Sequence, residues 1–426
     1  MRWPRRRSPF TYGLWVVLLV LGALVVSDSI KLGTNRQPTA DPFYSYSGPL
    51  VDVEPGTVLR TRPIELAMGD VKTHIAGTQA LYRSTDQRGN PTTAVTTMFR
   101  PVEAGRSPRI ISYHVAYDAL GDECDPSYTL RGNKSNVLSE VAEAVIAGYL
   151  ATGHTVSVPD YEGLREGWTV GRQSGYNALD GVRATEAVLK LPADTPVGLI
   201  GYSGGSVPTE WGAEMAPGYA PDLNIVGAAA GGLPVNMVHN LAYVSGAKDW
   251  AGVIPALIDA YSRVYALDTE SFLSPYGDRL TDTVSNQCVA DFAHSYPDLT
   301  DAEMVKAPYT SLMQVKSMVQ AANDNIMGNS GTPRTPMFLA VGQSDETGDQ
   351  VMVTADVRGL AHEYCSRGVS VDFKVYQGDD HREAYVSFQR DAAVFLSERF
   401  SEVPPPDKCG EIEPGTSLDP LPVPVG

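Results

Sequence analysis

One pentapeptide limits what this chain can become. Gly201-Tyr202-Ser203-Gly204-Gly205 follows the apolar run Val197-Gly198-Leu199-Ile200 and precedes a stretch of helical character, Ser206 to Met215. Strand, sharp turn and helix in that order make a nucleophile elbow. In such a turn the serine takes a strained backbone conformation, and its hydroxyl stands clear of the sheet. Side chains two residues to either side would collide with the turn, so Gly201 and Gly205 hold those positions. The pentapeptide occurs once, and as a pattern it is loose, since a Gly-Ser loop reads the same. Context and partners must decide between the two.

The context is an α/β rhythm. Leu59 to Met68, Gln79 to Ser84 and Thr92 to Arg100 read as strands that open a sheet antiparallel. Arg109 to Val115 is denser in apolar residues, as a buried strand must be. Helix and strand then alternate: helix Val137 to Leu150, strand Thr155 to Pro159, helix Tyr176 to Leu191, strand Val197 to Ile200, the elbow, and strand Asn224 to Ala230. After Gly232 the rhythm stops. Val235 to Ala260, Tyr261 to Leu273 and Ala302 to Met327 read as helices with no strand between them, which predicts an inserted helical cap. Sheet pattern returns at Pro336 to Val341. A helix from Asp349 to Arg367, a strand from Ser370 to Tyr376 and a last helix from Ala384 to Phe400 follow.

The expected fold class is α/β, with a mostly parallel central sheet flanked by helices and a helical lid. A chain of 426 residues suits one large domain with an insertion, or two domains. The expected layout is a linker over 28–55, core over 56–232 and 335–401, cap over 233–334, and a proline-rich tail over 402–426.

The net charge of -17 argues against a nucleic-acid partner, because neutralising phosphate takes a basic surface. The first residues differ from the body. Arg2, Arg5, Arg6 and Arg7 precede the uncharged apolar run Tyr12 to Val26, the layout of a secretory signal peptide over 1–27. Export to the outside of the cell is expected, with a retained membrane anchor as the minority alternative. The four cysteines, Cys124, Cys288, Cys365 and Cys409, form no C-x-x-C pair, so a zinc site is not expected. In an exported chain they read as two disulfides, with three pairings open.

A serine nucleophile needs a base, and the base needs a group to orient it. Asp345 follows one late strand in Gly342-Gln343-Ser344-Asp345. His381 follows the next in Gly378-Asp379-Asp380-His381. Both fall past carboxyl ends of strands, the edge where ligands bind in parallel sheets. Other histidines fit less well: His362 lies mid-helix, His239 and His294 in or beside the cap, His74 before the core, and His154 at the wrong edge. Asp379 and Asp380 are the alternative acids, too close to His381 in sequence to face its ring. Gly204, the residue after the nucleophile, is one expected oxyanion donor. The loop Ala116-Tyr117-Asp118 is expected to supply the second. No metal or organic cofactor is needed for such chemistry.

Several further stretches carry a resemblance. Gly201 to Gly205, Trp211-Gly212-Ala213, Tyr219 to Leu223 and Val226 to Gly232 form one block. Ser112 to Asp118, Cys124 to Tyr128, Pro159 to Gly163 and Leu179 to Ala184 add to it. Together they resemble the secretory lipase family of the fungal lipase A type, over roughly residues 40–401. The resemblance implies an α/β-hydrolase with a serine triad acting on acyl esters, and it places that triad at Ser203, Asp345 and His381. It also implies Asp118 as the second oxyanion-hole residue beside Gly204, and disulfides Cys124–Cys288 and Cys365–Cys409. Two features depart from the family. The loop from Gln343 to Asp349 is more polar than the apolar stretch that usually follows this acid, and the cap from Asn236 to Thr332 resembles the family only weakly.

The leading reading is thus a secreted serine carboxylic-ester hydrolase, a triacylglycerol lipase, active as a monomer on a lipid or other acyl ester. A short-chain carboxylesterase or an acyltransferase on the same triad is the alternative. A non-catalytic surface-binding protein is the remote one. Tyr243, Trp250, Tyr261, Tyr265, Phe272, Met304, Met313 and Met318 in the cap suit either a lipid-contact surface or ordinary core.

Overall fold

The computed structural model describes residues 36–69, 71–101, 107–134, 136–405 and 407–424. The expected signal segment at 1–27 lies outside the described residues. The described chain forms a sheet of nine strands: β1 (Val58–Met68), β2 (Val71–Thr85), β3 (Pro91–Phe99), β4 (Ile110–His114), β5 (Thr155–Pro159), β6 (Val197–Tyr202), β7 (Ile225–Gly231), β8 (Met337–Gln343) and β9 (Val371–Gln377). Their spatial order is β1-β2-β3-β5-β4-β6-β7-β8-β9. The pairs from β1 to β3, and β3 with β5, are antiparallel. From β5 to β9 every pair is parallel.

The parallel part is covered on both faces, so its strands are apolar throughout. On β6, Val197 and Leu199 point into one core, while Ile200 and Tyr202 point into the other. The first core holds α2 (Gly171–Leu189), α3 (Ser206–Tyr219), α8 (Thr354–Ser366) and the cap. The second holds α1 (Val137–Ala151) and the last helix, α9 (His381–Phe400), whose Phe388 and Phe395 lie against Phe338 of β8.

Between β7 and β8 lie α4 (Met237–Val244), α5 (Val253–Tyr265), α6 (Pro275–Val284) and α7 (Lys316–Asn323), with short helical turns between them. The three long helices expected here are broken up. The first is interrupted from Ser245 to Gly252, where Gly246 and Trp250 take positive φ of 77° and 69°. The second ends at Tyr265, because Ala266 turns left-handed. Pro308 lies within the third, which survives only as Asp301–Met304 and α7. Apolar spacing persists through these breaks, so periodicity alone runs the segments together.

Both ends of the described chain are packed rather than free. Phe43 and Tyr44, in the stretch expected to be a linker, pack on Leu81 and Val95 of the sheet, and Asp41 pairs with Arg62. The tail is extended. Thr416 donates to the Ala355 carbonyl, and Leu421 exchanges hydrogen bonds with Asn323 of α7. Disulfides join Cys124 to Cys288 and Cys365 to Cys409. The first ties the loop after β4 to the cap, where Leu120 also donates to the Gln287 carbonyl.

Candidate active site

Ser203 sits at the turn between β6 and α3 with φ of 56°, a costly conformation for a residue with a side chain. The elbow leaves no room beside it. A methyl on Gly201 would lie 1.9 Å from the Gly205 carbonyl oxygen, and one on Gly205 would lie 2.1 Å from the His114 carbonyl oxygen. His381 opens α9, which is capped by Asp380, whose carboxylate accepts from the N–H groups of Arg382 and Glu383. Tyr202 donates its hydroxyl to the His381 carbonyl at 2.7 Å and sets its ring beside the imidazole. The His381 ring, only 3% exposed, places Nε2 2.8 Å from Ser203 Oγ.

The acid facing the other ring nitrogen is Asp349, not Asp345. Asp349 Oδ2 accepts from His381 Nδ1 at 2.8 Å, and its backbone carbonyl accepts from the His381 N–H. Its second oxygen, Oδ1, takes the N–H groups of Val351 and Met352, so the buried carboxylate is held from three sides. Asp345 turns the other way. Oδ1 accepts from the N–H groups of Thr347 and Gly348, and Oδ2 accepts the Tyr243 hydroxyl of α4 at 2.7 Å. Burial would lift this carboxyl, but those three donors carry it below the usual range. Asp345 therefore fastens the loop to the cap. The expected helix start at Asp349 is also corrected: residues 344–353 are loop and α8 begins at Thr354. One sequence signal pointed to Asp349, the apolar stretch Val351-Met352-Val353 that follows it.

Asp118, in the loop after β4, lies beside the elbow. It is buried with φ of 44°, and its Oδ1 accepts the Trp168 indole N–H at 2.6 Å. That oxygen lies over Gly204, so close that a methyl on Gly204 would come within 1.7 Å of it. Burial pushes the carboxyl up to about 6, against the opposing pull of the Trp168 hydrogen bond and of His381. The sequence offered no signal for Trp168, which joins Asp118 only through the fold.

Below this loop lies a buried acidic cluster. Glu162 Oε2 accepts the Ala119 N–H, and Asp160 Oδ1 accepts the Ser127 N–H. Burial is the first cause that pushes these carboxyls upward; repulsion adds to it from Glu166 and Asp160 at Asp125, from Asp118 and Glu166 at Glu162, and from Asp160 and Asp122 at Glu166, which reaches about 8. Asp160 reaches about 7 by burial, with its bond from Ser127 pulling the other way. The other histidines are occupied elsewhere. His114 is buried between Ser112 and Thr209 and burial lowers it to about 3. His239 pairs with Asp356, and His362 meets the Ile412 carbonyl.

Ser203, His381 and Asp118 open on a cavity of about 340 Å³. Met237, Leu241, Val244, Val253 and Leu257 of the cap line it, with Val351 and Met352 of the Asp349 loop. Trp250 sets its ring edge-on to His381, centroids 5.3 Å apart. Of the other cap residues singled out in the sequence, Tyr261, Phe272, Met304 and Met318 are buried core.

A serine, an imidazole and a carboxylate in line at the carboxyl edge of a parallel sheet, under a helical cap, define an α/β-hydrolase. Residues 130–408 match the family model for secretory lipases. The chain belongs to the secretory lipase family and is a carboxylic ester hydrolase. It is similar to Lipase A of Arthroderma benhamiae, 31% identical over 93% of this chain and 85% of that one. It is equally similar, at 31%, to a protein of Mycobacterium tuberculosis named a probable inactive lipase, over 86% of this chain and 83% of that one. Among solved structures it matches the closed state of Candida antarctica lipase A with a TM-score of 0.79, at 25% identity and over 92% of each chain.

Proposed function

We propose that the protein is an exported triacylglycerol lipase that works through an acyl-enzyme on Ser203. His381 Nε2 takes the Ser203 proton as Oγ attacks the ester carbonyl, and returns it to the leaving alcohol. Asp349 holds the imidazole in the required tautomer and stabilises the imidazolium. The developing oxyanion meets the amide of Gly204 and the Asp118 loop. A water activated by His381 then releases the fatty acid. The observation that carries this reading is the unbroken line Asp349–His381–Ser203, ending at an apolar cavity. Export is supported by the arginine-led apolar run at the N-terminus and by the secretory character of the family.

The name of the mycobacterial relative raises a non-catalytic reading. The filled serine, histidine and aspartate positions here speak for catalysis. A short-chain esterase or an acyltransferase would use the same residues and differ in acyl length or in the group that attacks the acyl-enzyme.

Hydrolysis of p-nitrophenyl esters of graded acyl length, by the protein and by Ser203→Ala, tests the reading. Turnover across long acyl chains that disappears in the variant is the expected result. Activity that survives in Ser203→Ala overturns the mechanism, and activity confined to short chains replaces lipase by esterase.

A further inference from the structure

The cavity opens between two helices of the core. The first turn of α1 forms one wall, where Val137, Leu138 and Val141 line the cavity while 74%, 42% and 37% exposed. The start of α9 forms the other. Arg382 and Tyr385 line it, and Val386 beside them is 60% exposed. Three exposed aliphatic side chains thus gather at one opening, an arrangement that water disfavours unless something apolar covers it. The cap is different. Among its described residues, Tyr276 alone is a large exposed apolar side chain.

The entry of the chain marks the same side. The Gln37 amide donates to Glu123, and the Thr39 N–H donates to Asp122 at 2.7 Å. Glu123 also pairs with Lys134, three residues before Val137. The described chain therefore begins on the segment that leads into the rim. The net charge of -17 would repel an anionic surface and leaves an uncharged one as the partner.

We propose that this rim, formed by Val137, Leu138 and Val141 rather than by the cap, is the face that docks on an uncharged lipid surface. The proposal rests on the ester-hydrolase reading, because docking there sets the cavity mouth against a layer of ester substrate. Partial burial of these side chains in the lipid boundary supplies the attraction.

The test is flotation of the exported chain, lacking residues 1–27 and carrying Ser203→Ala, with a triolein emulsion stabilised by phosphatidylcholine. Adding Val137→Ser, Leu138→Ser and Val141→Ser should lower the bound fraction roughly tenfold or more. Val137→Asp alone, at the most exposed position, should lower it too, with an unchanged near-ultraviolet circular dichroism spectrum. Tyr276→Ser in the cap should leave binding intact. Equal binding by parent and triple variant overturns the proposal, as does loss of binding with Tyr276→Ser alone. Preference for phosphatidylglycerol over phosphatidylcholine vesicles overturns the uncharged partner. Flotation reads binding without turnover, so a protein that docks yet hydrolyses no ester refutes the functional reading and not the surface.

Discussion

Asp349 Oδ2 lies 2.8 Å from His381 Nδ1, while Asp345, four residues earlier, bonds to Tyr243 of the cap. The two acids share one loop and do separate work. Asp349→Asn should lower kcat about 10⁴-fold, because the amide favours the wrong imidazole tautomer. Asp345→Asn keeps a group able to accept from Tyr243 and should change kcat less than about tenfold. Steady-state kinetics on one soluble ester decides between them, and equal losses would return the orienting role to Asp345.

Gly204 has no room for a side chain, since a methyl there would meet Asp118 Oδ1 at 1.7 Å. Gly204→Ala must push Asp118 or the elbow aside, which displaces the groups aimed at the oxyanion. A loss of about 10²-fold or more in kcat is expected. Gly218→Ala, near the end of the following helix α3 with open space around it, should leave the rate unchanged.

The buried carboxyls make stability depend on pH in an unusual direction. Asp160 is raised to about 7 and Glu166 to about 8, chiefly by burial, with Arg131 and Arg263 offsetting only part of it. A carboxyl whose folded pKa exceeds its unfolded value binds its proton more tightly when folded. Its contribution is complete below about pH 4 and is lost as pH rises through 7 to 8. Melting temperature should therefore fall between pH 5 and about pH 8. Glu166→Gln should flatten that slope, and a parent protein whose melting temperature rises over this range would refute the assignment.

The two disulfides should separate in their effects. Cys124–Cys288 closes 164 residues and Cys365–Cys409 closes 44, so chain entropy assigns them about 5 and about 4 kcal/mol. Both double serine variants should melt earlier. Only the Cys124/Cys288 pair should also lower kcat, because it holds the Asp118 loop against the cap. Equal kcat in both variants would show that the loop keeps its place without it.

How much was legible depended on the kind of signal. The elbow and His381 follow from local order, a strand and a helix on either side of Ser203 and a capped helix start after the last strand. Asp345 and Asp349 lie in a turn-rich loop with no periodicity, so spacing could not choose between them. The cap helices were run together because apolar spacing continues through Gly246 and Trp250, where the backbone turns left-handed. Cysteine spacing left three pairings open, and the family resemblance implied the pair of bridges that the fold contains.

The succession of strands and helices along the chain, the serine at the elbow, the histidine after the last strand and the position of the helical insertion are properties of short stretches, and the amino-acid sequence by itself determined them. Apolar patterning and turn chemistry act within a few residues and survive in any context. Which acid faces His381, the indole N–H of Trp168 on Asp118 and the exposed rim at Val137 were decided only by the tertiary structure. Each depends on where a loop crosses the end of the sheet, and that path is set by the packing of residues more than thirty positions apart.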